Sequence, residues 1–160
     1  MINFKKQSEL KKAILTLAKS LFFIFSTFAI ISSNAYAKEI HVVLVTSKSS
    51  TINKLERKDI RRLFLGLQPT NTTQINKPVL NLKNKQVYKL FLKNVMFLTE
   101  SGYKRKLVKR VFRQGADEIK TIDTDRELLK YLNEHPDNIS FMLEKDAKKQ
   151  SDLKIIQALW

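Results

Sequence analysis

The run Glu39–Ser47, EIHVVLVTS, holds four aliphatic residues in unbroken succession, Val42-Val43-Leu44-Val45. A strand points successive side chains to opposite faces, so an uninterrupted apolar run must be covered on both. This stretch therefore predicts an interior strand with other elements packed above and below it.

The following segments supply the cover. Ser47-Lys-Ser-Ser-Thr51 reads as a polar turn. From Glu56 to Leu65, Ile60, Leu63 and Phe64 share one helical face and leave Arg57, Lys58, Arg61 and Arg62 largely outside. Gly66 stands where the residue after a helix takes a positive φ. Leu67–Lys77, with Pro69 and an Asn-Thr-Thr run, reads as a loop. Pro78–Leu82 reads as a short strand with proline at its first residue. Asn84 can cap a helix to about Met96 with an inner stripe of Val87, Leu90, Phe91, Val95 and Met96. Ser101 can cap the next helix, placing Tyr103, Leu107, Val108 and Val111 inside before Phe112-Arg-Gln-Gly115 ends it. Glu118–Ile122 reads as extended. Asp123 or Thr124 opens a helix over about Asp125–Asn133, with Leu128, Leu129 and Leu132 inside. Pro136-Asp-Asn138 is a turn, and Asn138–Leu143 and Leu153–Leu159 are strands. Strands alternating with helices predict an α/β fold, three layers around a mixed, mainly parallel sheet.

The N-terminus reads differently. Lys5, Lys6, Lys11, Lys12 and Lys19 precede the eleven-residue apolar run Leu21–Ile31, and Ala35-Tyr36-Ala37 follows. A charged leader, an apolar run and a small-x-small site describe a secretory signal peptide, residues 1–37, cut before Lys38. An uncleaved anchor is the alternative, but Thr16, Lys19, Ser20 and Ser26 interrupt the roughly 20 apolar residues a span requires. The domain is then residues 38–160, a length that buries roughly two-thirds of its unfolded surface. The absence of cysteine excludes disulfides and thiolate metal sites, and suits a periplasmic location.

The chain carries a net +15, and loss of the leader leaves 25 basic and 14 acidic residues, or +11. Such a charge attracts anions, acidic polymers and anionic surfaces. Nucleic acid is not expected, since export removes it and no aromatic residues interleave with the basic ones as a stacking platform.

The ordered set of segments resembles a known family. It comprises a first strand, a polar turn, a helix ending Leu63-Phe64-Leu65-Gly66, a Pro-Val strand, a helix with central Leu90-Phe91, a helix reaching Phe112-x-x-Gly115, a Leu128-Leu-x-Tyr-Leu132 helix and the strand Ile139-Ser140-Phe141. Over about residues 39–145 this looks like the small, single-lobe relatives of the periplasmic phosphate-binding proteins of ABC transporters. The resemblance implies one lobe of a type II periplasmic-binding-protein fold and a small oxyanion such as phosphate as ligand. It departs from the family at Lys83-Asn84-Lys85-Gln86, where phosphate binders carry a Ser-Gly-Ser/Thr segment, and it lacks the tryptophan common after the first loop.

An anion site needs backbone donors at a helix start, aided by hydroxyls or cations. The strand-end turn supplies Ser49, Ser50 and Thr51. Lys83, Asn84 and Lys85 follow the second strand, at the end expected to correspond, and Arg113 can join them. No cofactor is expected. His41 and His135 lack any metal-ligand spacing, and no nucleophile elbow, P-loop or dinucleotide turn is present, so the chain is not expected to be an enzyme. The expected partners are a small oxyanion, or a second lobe or membrane protein. The alternative function is a ligand-free basic interaction module at the cell envelope.

Overall fold

The computed structural model describes residues 39–69, 77–115 and 118–160. The expected leader, and most of the loop after Pro69, lie outside the described residues. Ile40–Trp160 packs as one unit.

Strand β1, Val42–Ser47, is buried at all six positions. Its alternate side chains enter two separate cores. Val42 and Leu44 face Ile60, Phe64, Phe91 and Phe141. Val43 and Val45 face Leu128, Leu132, Met142 and Ala147. The expected burial on both faces is what forms, and the architecture is mixed α/β in three layers. Helix α1 (Arg57–Leu63) and helix α2 (Lys85–Phe91), which continues as a π turn over Leu92–Met96, pack on one face. Helix α4 (Asp125–Glu134) and the four-residue α5 (Glu144–Ala147) cover the other. The remaining helix, α3, spans Glu100–Gln114.

The sheet is not mainly parallel as expected. Strand β1 lies between β4 (Ile139–Leu143) and β5 (Leu153–Ala158) and is antiparallel to both. Strands β2 (Val79–Asn81) and β3 (Lys120–Ile122) form a separate parallel pair. One parallel bridge, Pro78 with Ile139, brings β2 alongside β4. The join is completed by buried polar side chains: the Ser140 hydroxyl donates to the Val79 carbonyl at 2.9 Å, and the Asn81 amide donates to the Phe141 carbonyl at 3.1 Å. The strands thus line up β3-β2-β4-β1-β5, and β1 alone runs against the others. Two-residue periodicity is the same for either direction of pairing, which is why the pattern of β1 revealed its burial but not its sense.

Helix ends follow local chemistry closely. After α1 the Leu67 amide bonds the Arg62 carbonyl and the Gly66 amide bonds the Leu63 carbonyl, both at 2.8 Å, with Gly66 at φ 71°. These two bonds are the Schellman arrangement, and they require the left-handed residue that glycine supplies without a Cβ clash. Asn84 caps α2, its side-chain oxygen accepting from the Gln86 and Val87 amides. Thr124 caps α4 in the same way. The cap of α3 is Thr99, not Ser101: the Thr99 hydroxyl accepts from the Gly102 amide, and Ser101 hydrogen-bonds that hydroxyl. The π turn admits an extra residue per turn, rotating Leu92 into the core and leaving Leu90 only half-buried.

At the centre of the first core Phe91 stacks on Phe141, with ring centroids 4.0 Å apart, and meets Phe64 edge-on at 4.8 Å. Beside this trio the Tyr103 hydroxyl donates to the Phe64 carbonyl at 2.5 Å. Burial pushes the Tyr103 phenol well above its ordinary pKa.

Two outcomes follow. Phe91→Ala, which removes the ring touching both other aromatics, is expected to cost about 3–5 kcal/mol in urea unfolding. The second concerns alkaline stability. Below pH 10.0, the ordinary tyrosine value, both folded and unfolded states keep the Tyr103 proton. Above it the unfolded chain releases a proton the folded state retains, so stability falls as pH rises. Tyr103→Phe is expected to lose about 1–2 kcal/mol near neutrality and to show a shallower decline above pH 10.0, measured by denaturant midpoints across that range.

Candidate functional site

Because β1 opposes its neighbours, the two groups of residues expected to bind an anion lie at opposite ends of the sheet. Ser49, Ser50 and Thr51 follow Ser47, beyond Thr46, which pairs with Ile139 at the start of β4. Lys83, Asn84 and Lys85 follow Asn81 and approach Leu143, which pairs with Val42. Four residue steps of β4–β1 ladder separate those ends, roughly 13 Å at strand rise. The expectation that the serine turn and Lys83 sit at corresponding strand ends is therefore corrected.

The serine turn is internally satisfied. The Ser47 and Ser49 hydroxyls are 3.0 Å apart, and the Ser47 hydroxyl also donates to Asn133 at 3.2 Å. The buried Ser50 hydroxyl accepts from the Ile52 amide, while its carbonyl accepts from the Lys154 ammonium at 2.8 Å. Nearby, the Thr46 hydroxyl lies 2.8 Å from both the Pro136 and Asn138 carbonyls. These bonds tie the end of β1 to the turn before β4. Thr51 is exposed beside them.

The second group opens on a pocket of about 310 Å³ where β2 and β4 end. This is the side on which open α/β sheets tend to bind ligands, at the carboxyl ends of co-directed strands. Its wall contains Asn81, Lys83, Asn84 and Lys85, together with two carboxylates, Asp125 and Asp146. Lys83 forms an ion pair with Asp125. That hydrogen bond is the main cause holding the Lys83 ammonium above its ordinary pKa, with Asp125 and Asp146 charges adding to it. The Asn81 side-chain oxygen accepts from the Lys83 amide. The two α2 amides best placed for an oxyanion, those of Gln86 and Val87, are already bonded by Asn84 at 3.0 and 3.1 Å. The sequence showed Asn84 as a cap. The carboxylates were not foreseen, because Asp125 and Asp146 come from segments far along the chain. Arg113 is exposed near the end of α3 and lines neither region.

His135 stacks on Tyr131, ring centroids 4.3 Å apart, with Nδ1 3.0 Å from the Tyr131 carbonyl. Among the described residues no group of three His, Cys, Asp or Glu side chains is arranged to hold a metal ion. Among the same residues no helix is long and apolar enough to cross a membrane.

These features sit on a fold seen elsewhere. No family model matches the chain, and no curated protein does. Among solved structures it is similar to the crystal structure of an ABC-type phosphate transport receptor from Vibrio cholerae, at 13% sequence identity and a TM-score of 0.50. The match covers 74% of this chain and 46% of the receptor, so the chain spans about half that protein's length. The shared feature is the fold. It agrees with the scaffold that the sequence resemblance implied.

The site separates structure from charge in a measurable way. Lys83→Ala, losing a half-exposed ion pair, is expected to cost at most about 1 kcal/mol. Asn84→Ala, losing the cap of α2, is expected to cost about 1 kcal/mol or more. Thermal denaturation of the two variants and their combination checks this. If Lys83→Ala proves much the costlier, the pair with Asp125 is holding the strand end together.

Proposed function

We propose that this chain is an exported, non-catalytic recognition lobe of the binding-protein type, acting at the cell envelope by contact with anionic partners. The observation that carries the reading is the likeness of its fold to about half of a phosphate transport receptor, combined with a net charge of +15 over the whole chain. The leader of residues 1–37 would direct export and be removed after Ala37.

Two specific forms of recognition follow. In the first, the lobe binds phosphate or a similar small oxyanion, the ligand class named for the receptor. A two-lobe receptor encloses its ligand by closure. A lobe working alone leaves one side of the ligand in water, so affinity no tighter than roughly millimolar, about 4 kcal/mol, is expected. In the second, the lobe is a basic interaction module that contacts a membrane-protein partner, a second lobe or an acidic polymer. The satisfied hydroxyls of Ser47 to Ser50, the occupied α2 amides and the carboxylates beside Lys83 favour this second form.

Thermal melting with phosphate, sulfate and chloride at matched ionic strength distinguishes the two. Equal shifts are expected, as for general screening of a basic surface. A rise specific to phosphate that Lys83→Ala or Ser50→Ala removes would establish the oxyanion form instead. A micromolar phosphate constant by calorimetry for the lone chain would overturn the partner-dependent reading altogether.

A further inference from the structure

Helix α3 is the least covered long element among the described residues. A helix turns 3.6 residues at a time, so Tyr103, Leu107, Val111, Val108 and Phe112 fall along one side, with Lys104 set among them between Val111 and Val108. Arg105, Lys106, Lys109, Arg110 and Arg113 occupy the rest of the circumference. Along the apolar arc, cover falls away in order. Tyr103 is 1% exposed, Leu107 is half-buried, Val111 is 36% exposed, Val108 54% and Phe112 84%. The sequence pattern placed Leu107, Val108 and Val111 in the core with Tyr103. Only Tyr103 is buried there.

The uncovered arc does not face open solvent alone. It borders a half-open groove of about 840 Å³ whose floor includes Leu80, Tyr88 and Ile119. That volume falls within the range of roughly 300–1,000 Å³ typical of small-ligand clefts, which are mostly apolar with a few placed polar groups. Here the polar groups are mainly cations from two elements. Lys85 and Lys89 stand on the α2 side, and Lys104 and Arg110 on the α3 side. Glu100 and Glu118 are the carboxylates of the lining, and Glu100 is paired with Lys104 at 2.8 Å. That bond is the main cause holding the Glu100 carboxyl below its ordinary pKa, with Lys89 and Lys85 adding to it.

We propose that the groove between α2, α3 and the β2–β3 pair binds an anionic single-chain amphiphile, its hydrocarbon lying along the α3 arc and its phosphate or carboxylate head among Lys85, Lys89 and Arg110. Charge complementarity selects an anion, and the apolar floor selects a chain attached to it. The concave walls favour one inserted molecule over the flat face of a bilayer. A second copy of this basic chain would bring like charge to like. The inference goes beyond small-oxyanion binding; it shares Lys85 with the strand-end pocket and uses none of that pocket's Asn81, Lys83 or Asn84.

The test uses protein purified from cells expressing the full chain. Calorimetry compares dodecyl phosphate below its micelle concentration, dodecyl maltoside and inorganic phosphate. Dodecyl phosphate is expected to bind about tenfold or more tightly than either of the others, since one needs the head and the other the chain. Val111→Asp, which puts a carboxylate in the arc, and Lys89→Glu are each expected to weaken dodecyl phosphate by about tenfold. Phe112→Ser, at a position too exposed to support the fold, is expected to weaken it while leaving the melting temperature unchanged. Equal binding of the phosphate and maltoside amphiphiles would overturn the proposal, as would indifference to Val111→Asp and Phe112→Ser in folded protein. So would binding only to phosphatidylglycerol vesicles with none to the soluble amphiphile, which would make this a membrane-contact face. A signal from inorganic phosphate equal to that from dodecyl phosphate would return the binding to a simple oxyanion site and reject the groove.

Discussion

The burial of β1 on both faces is the constraint from which the rest of the structure follows. Val42 and Leu44 enter one core, Val43 and Val45 the other, and each such side chain contributes roughly 1.5–3 kcal/mol by leaving water. Neither core can form without the strand that separates them. On one side this fixes where α1 and α2 must lie, and the Phe64-Phe91-Phe141 cluster locks them to β4. On the other side it fixes α4, whose Leu128 and Leu132 pack with Val43 and Val45 in the second core. The flanking strands β4 and β5 then take up the hydrogen-bonding groups of β1, and α5 spans the short connection between them.

That arrangement also decides the chemistry at the sheet ends. With β1 reversed, its C-terminal turn meets the start of β4; the Thr46 hydroxyl closes that junction, Ser47 bonds Asn133 at the end of α4, and Ser50 closes the turn itself on the Ile52 amide. The opposite end collects the carboxyl ends of β2 and β4, with both lysines and aspartates around them. A strand-end pocket of mixed charge holds an oxyanion less well than one of uniform positive charge, because each carboxylate cancels part of the attraction at short range. Positive charge is denser along α3, where Arg105, Lys106, Lys109, Arg110 and Arg113 share one side and Glu100, in the first turn, pairs with Lys104. Charge and uncovered apolar surface thus occur on the same element.

Much of the fold was legible because it rests on local signals. Gly66 adopts the positive φ its position after a helix suggested, Gly115 ends α3 as expected and does so with a positive φ, and Asn84 and Thr124 act as caps. The double-sided burial of β1 follows directly from four consecutive aliphatics. What escaped the sequence was non-local. The direction of β1 depends on which strands reach it, and alternation of side chains carries no information about that. The buried polar contacts of Ser140 and Asn81 join β2 to β4 across about sixty residues of chain, a relation no local pattern encodes. The ion pair of Lys83 with Asp125 is hidden for the same reason.

Helix α3 shows a different limit, and it bears on function. Helical periodicity reports which residues would be buried if a partner surface were present, but not whether the same chain provides one. Tyr103 finds that surface by pinning its hydroxyl to the Phe64 carbonyl behind the aromatic cluster. Past Leu107 the helix carries the same apolar period, but Val108, Val111 and Phe112 stay exposed. Shortening the helix would remove the surface without touching either core. Val108, Val111 and Phe112 join neither core, so the apolar period they continue is not required by the folding of this domain.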